Sequence, residues 1–110
     1  MTQPNERRRR AADWLRSLLW SRHLRPRPCT HRDQIHDVTP ASEGCTACME
    51  LGDSWMHLRM CLICGHVGCC DNSKNRHASK HFHTTGHPIV QSAEPGEDWM
   101  WCYIDQTLLT

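Results

Sequence analysis

The chain has 110 residues, a formal net charge of +1, one Phe, one Tyr and eight Cys. A chain of this length makes one small domain, and so little apolar material leaves that domain in need of cross-links. No stretch reaches the roughly 18 consecutive apolar residues of a transmembrane helix. The run "WLRSLLW" is interrupted by Arg16 and followed by no small-residue cleavage site, so it does not read as a secretory signal. A cytoplasmic, reducing location is expected, where clustered cysteines hold metal instead of pairing as disulfides.

The small net charge conceals two opposite halves. Residues 1–28 carry eight Arg against Glu6 and Asp13, about +6, and residues 29–110 carry about −5. Within the first part, Leu15, Leu18 and Leu19 share a helical face with Trp14 at its edge, until Pro26 and Pro28 end the pattern. The expectation is a flexible, basic amphipathic arm over 1–28 and a separate domain over 29–110. Such an arm either packs loosely on its own acidic domain or meets nucleic acid or an anionic membrane surface.

From Cys29 the donor atoms crowd together: Cys29-x-His31, Cys45-x2-Cys48, Cys61-x2-Cys64, Cys69 with Cys70, four histidines from His77 to His87, and Cys102-x2-Asp105. A two-residue gap lets a tight turn aim both sulfurs at one ion, which in turn fixes the turn. A C-x2-C redox pair would need a βαβ context, and no parallel-strand pattern surrounds either pair.

Between these ligands, "WMHLRM" alternates as a half-buried strand ending at Cys61, with Arg59 and Trp55 on the same side. "NSKNRHASKHF" has helical spacing with a cap expected at Asn72 or Ser73. "HPIV" reads as a short strand. In "DWMWCYI", Met100, Cys102 and Ile104 fall on one face and Trp99, Trp101 and Tyr103 on the other. The fold class is therefore α+β, a twisted antiparallel sheet with one main helix.

The pattern "CTAC…CLICGHVGCC…RHASKH…GHP…WCY" resembles the UBP-type zinc finger, a module that in deubiquitinases and one histone deacetylase captures the free C-terminal tail of ubiquitin. The segments "GHVGCCD" and "EPGEDW" resemble small stand-alone bacterial, actinobacterial-looking versions. The resemblance implies three interleaved zinc sites: Cys45, Cys48, Cys69 and His77; Cys61, Cys64, His81 and His87; and Cys29, His31, Cys102 and Asp105, where three-zinc members carry Cys at the last position. His77 and His81 could instead share an ion, and His83 could substitute for a neighbour. His23, His36, His57 and His66 read as surface histidines.

The resemblance also implies a protein partner held through its C-terminus. Trp101 and Tyr103 match the family's aromatic wall, whereas Cys70-Asp71-Asn72 occupies the loop that usually bears an arginine. Arg59 stands where a tryptophan is usual and is the candidate replacement cation. No enzymatic role is expected, because four ligands per ion leave no open position and "HASKH" has Ala78 where H-E-x-x-H needs Glu. The alternative is a redox-responsive zinc regulator: His57-x3-Cys61-x2-Cys64 matches the spacing of zinc-binding anti-sigma factors, and Cys70 is left over from the three sites.

Overall fold

The computed structural model describes residues 28–109. Five short strands form one antiparallel sheet: β1 (Leu58–Cys61), β2 (Val67–Cys69), β3 (Ile89–Ser92), β4 (Met100–Cys102) and β5 (Thr107–Leu109). Their spatial order is β2-β1-β3-β4-β5. A short helix, α1 (Thr46–Leu51), precedes the sheet, and the main helix, α2 (His77–Thr85), lies between β2 and β3. The domain is α+β with one main helix. The basic arm expected over 1–28 lies, apart from Pro28, outside the described residues.

The register assigns the sheet two faces, since residues paired across strands point the same way. Met60 opposite Gln91, Ile89 opposite Cys102 and Met100 opposite Leu109 put Met60, Ile89, Met100, Cys102 and Leu109 on one face. There they pack with Cys29, Ile35, Val38 and Leu62 into the main core. The N-terminal segment covers this face, anchored by His36 N donating to Leu62 O (2.9 Å) and Ala41 N to Gly65 O (2.9 Å).

The opposite face carries Arg59, Cys61, Gly68, Val90, Trp101 and Leu108. Helix α2 packs over its β1 and β2 half. That close approach requires a glycine: a Cβ on Gly68 would meet the Ala78 backbone nitrogen at 2.6 Å. Gly65 has a different reason, turning the β1–β2 connection at φ +83 against the Thr39 carbonyl. The half of this face over β3, β4 and β5 is left uncovered by α2, and Trp101 and Leu108 stand there.

Two local expectations are corrected. Helix α2 begins at His77, after Arg76 in the left-handed region (φ 48, ψ 48), with no side-chain cap. The expected caps are engaged elsewhere: Ser73 Oγ accepts from Met56 N at 2.8 Å, and Asn72 lies in a turn. Trp55 does not share a side with Arg59. The strand starts only at Leu58, so Trp55 is free to turn toward Cys45, Cys48 and Cys69.

Gly68→Ala should cost about 1–3 kcal/mol, the usual range for overpacking, because neither the sheet nor the helix backbone can yield a side-chain rotamer. Urea unfolding of the metal-loaded protein measures it, and an unchanged midpoint would contradict the close approach.

Candidate metal centres and binding cleft

The described residues bring twelve donor side chains into three groups, within each of which the donor atoms lie no more than 4.8 Å apart. The first group is Cys45, Cys48, Cys69 and His77. Cys45 immediately precedes α1 and Cys48 follows one turn into it, Cys69 ends β2, and His77 opens α2. His77 Nδ1 lies 3.2, 3.3 and 3.6 Å from the sulfurs of Cys45, Cys48 and Cys69, and Cys48 and Cys69 are 3.7 Å apart. Four ligands about 2.0–2.3 Å from a central zinc span tetrahedral edges of about 3.4–3.8 Å. The group comes close to those edges.

Its surroundings suit thiolates. His77 N donates to Cys69 Sγ (3.2 Å), which explains the bare start of α2: its first amide is satisfied by sulfur. Asn75 Nδ2 points to Cys48 Sγ (3.6 Å) and donates to Asp53 Oδ2 (2.9 Å). Burial pushes the Cys45 thiol up to about 11. A divalent cation opposes that cost directly, because it stabilises the charged form that burial disfavours.

The second group is Cys61, Cys64, His81 and His87. Cys64 Sγ lies 3.3 Å from His81 Nε2, Cys61 Sγ 3.6 Å from His87 Nδ1, and the two ring nitrogens are 3.3 Å apart. His77 and His81 thus face different groups despite their one-turn spacing. Burial, with His66 and His87 adding to it, pushes His81 down to about 4, so the ring is neutral near pH 7 and has a lone pair to offer. His66, read from the sequence as an ordinary surface residue, stacks on His81 at 4.3 Å between centroids. Only the folding of α2 onto the β1–β2 turn makes that contact, so no sequence spacing could have signalled it.

The third group, Cys29, His31, Cys102 and Asp105, joins the start of the described chain to the turn after β4. Cys102 Sγ lies 3.6 Å from His31 Nδ1 and 3.7 Å from Asp105 Oδ2. Asp105 Oδ2 lies only 2.9 Å from His31 Nδ1 and also accepts from Thr30 N (2.8 Å) and Thr30 Oγ1 (3.0 Å). The Thr30 backbone hydrogen bond leads the causes that hold this carboxyl down to about 2. The donor types suit zinc, but the His31–Asp105 pair is closer than any donor pair given for the other two groups, and the carboxylate oxygen is already well supplied with donors.

His57 is exposed and belongs to no group, so the anti-sigma-like spacing assembles nothing among the described residues. His83 is exposed and contacts the Phe82 ring. Cys70 also stands outside the groups, buried, with its sulfur 3.5 Å from Ser73 Oγ. Burial raises its thiol, but hydrogen bonds with Ser73, the Asn72 and His57 backbones and the His57 side chain bring it down to about 7.

On the sheet half that α2 leaves open lies a cleft of about 490 Å³ lined by Arg59, Cys70, Asp71, Asn72, Val90, Trp99, Trp101, Tyr103 and Leu108. Its size falls within the usual small-ligand range of about 300–1,000 Å³. The Arg59 guanidinium sits 4.4 Å from the centroid of Trp99, and Arg59 Nη1 donates to Leu58 O at 3.0 Å. Tyr103 stacks on Phe82 of α2 with centroids 4.9 Å apart, and burial keeps its phenol neutral by raising its pKa further. Sequence alternation found Trp99, Trp101 and Tyr103. It could not find Val90, Leu108 or Asp71, which arrive from other segments.

Chelation at neutral pH should unfold residues 29–105, since structural zinc supplies apparent binding free energy on the order of 10 kcal/mol per ion, comparable with a whole domain's stability. Circular dichroism with elemental analysis tests this: Cys61→Ser should abolish the folded signal, whereas Asp105→Ala should keep it and lose at most one zinc. A folded, metal-free protein would remove the metal assignment.

Residues 45–110 match the model of the family described as Zn-finger in ubiquitin-hydrolases and other protein. Over 63 residues, 57% of this chain, the sequence is 38% identical to the NAD-dependent deacetylase sir2A of Dictyostelium discoideum, of which it spans only 11%. The fold is similar to the solution NMR structure of a protein from Rhodopseudomonas palustris, with a TM-score of 0.69 and 49% sequence identity, covering 76% of this chain and 81% of that one. With that match and with donor groups suited to zinc, the chain belongs to the UBP-type zinc-finger family and is a zinc-binding module.

Proposed function

We propose that the chain is a non-catalytic interaction module, held together by up to three zinc ions, that captures the flexible C-terminus of a protein partner. The ions would be held by Cys45, Cys48, Cys69 and His77, by Cys61, Cys64, His81 and His87, and by Cys29, His31, Cys102 and Asp105. They would supply cross-linking and no open coordination position. Ala78 packs against Gly68 where a catalytic glutamate would otherwise stand.

The observation that carries the reading is the cleft with Arg59 at its wall. The guanidinium rests on Trp99 and faces no carboxylate within salt-bridge distance among the described residues. A planar cation held over an aromatic face keeps its remaining donors for an incoming carboxylate. Small terminal residues would let a peptide backbone enter beside Trp101 and Tyr103. Asp71 lines the same cleft and repels a carboxylate. Ubiquitin, suited to a pocket with an arginine in that loop, should therefore bind weakly or not at all.

A second reading rests on Cys70, whose lowered thiol and place outside the donor groups favour oxidation by peroxide and consequent zinc release. Its burial opposes rapid attack. Zinc loss that is fast in wild type and slow in Cys70→Ser would support this second reading.

Calorimetry with free and amidated C-terminal peptides tests the first. Amidation should remove binding worth about 1.5–3 kcal/mol, as should Arg59→Ala, because the charge-assisted hydrogen bonds disappear. Equal binding of free and amidated peptides would end the carboxylate-capture reading.

A further inference from the structure

A second cleft, of about 400 Å³, is lined by Asp71, Arg76, Ser79, Phe82, His83, Trp101, Tyr103 and Gln106. It shares Asp71, Trp101 and Tyr103 with the first. The two clefts therefore adjoin at this aromatic pair, with Arg59 lining one and Arg76 the other. We propose that they form one groove in which Arg76 holds an acidic side chain of the tail, upstream of the terminal carboxylate held at Arg59. The proposal rests on the carboxylate-capture reading and adds a specificity to it.

Three observations carry it. Arg76 is exposed, and its guanidinium has no hydrogen-bond or ion-pair partner among the described residues, while its backbone oxygen is occupied by Lys80 N (3.1 Å) and Ser79 Oγ (3.2 Å). Its backbone adopts φ 48, ψ 48, a conformation that glycine or asparagine accepts more readily than arginine. The backbone turns there just before the amide of His77, which donates to Cys69 Sγ at 3.2 Å. The arginine side chain is not required for that geometry, so the strain argues for a use of the side chain.

The third observation is the order of charge. Asp71 belongs to both clefts, so a positive end, a negative middle and a second positive end follow one another along the groove. A tail that complements this order has a free carboxylate, then neutral or basic residues past Asp71, then an acidic side chain at Arg76. The wall between the ends is firm, since Phe82 of α2 stacks on Tyr103 at an interplanar angle of 12°.

The test uses the zinc-loaded full chain and acetylated serine octapeptides that end in Gly-Gly with a free carboxylate. One glutamate is moved through the upstream positions. One position, or two that neighbour each other, should bind about threefold tighter than the all-serine peptide, the scale of an exposed ion pair. In Arg76→Gln the gain should vanish while the all-serine peptide binds as in wild type. Arg76→Gly should lose the same gain yet raise the thermal midpoint, because glycine relieves the left-handed backbone. In Arg59→Ala both peptides should weaken. A flat glutamate scan, with the free terminus still preferred over its amide, would overturn the second subsite and leave carboxylate capture standing. No binding by any peptide would remove both.

Discussion

The fold depends on the convergence of cysteine and histidine donors from segments far apart in sequence. Cys45 and Cys48 meet His77 across some thirty residues, and Cys29 meets Cys102 across more than seventy. The apolar side chains of the core are few, and much of the buried volume beside the aliphatic residues is sulfur. Without a cation, burial disfavours the thiolates that such groups must present, as the raised Cys45, Cys61 and Cys102 thiols indicate. Metal, charge and packing are thus one constraint, and the short strands between the groups are placed by it.

That constraint also arranges the cleft. Helix α2 carries His77 and His81, which face different groups, so its position over β1 and β2 is set at two points. Gly68 permits the contact, and Phe82, on the same helix, reaches over to stack on Tyr103. On the open half of the sheet, Trp101 and Leu108 line the cleft above the buried Val90, with no second helix over them among the described residues. Arg59 is then held by Trp99, whose neighbour Glu97 accepts from Ser92 Oγ at 2.7 Å and steadies the loop.

Arg76 combines the two themes. Its left-handed backbone comes just before His77 N, which donates to Cys69 Sγ, and its side chain lines the second cleft. A residue in that position links the donor groups to the wall of the second cleft. Asp71, five residues earlier in the same loop, brings the opposite charge to the junction of the clefts.

The sequence by itself determined the α+β class, the zinc chemistry and the alternation that sets Cys102 against Trp101 and Tyr103. Donor type and a two-residue gap are local properties, and strand alternation has a fixed period, so both are visible in one dimension. The sharing of donors among three groups was legible only through the family resemblance, since spacing alone allows His77 and His81 one ion. Tertiary structure decided what depends on contact between distant segments: the stack of His66 on His81, the turn of Trp55 away from Arg59, and the late start of α2, whose first amide is held by a sulfur eight residues away. It also decided that Arg76 lines a cleft adjoining the one that Arg59 and Asp71 line, because a strand and a loop share no period to read.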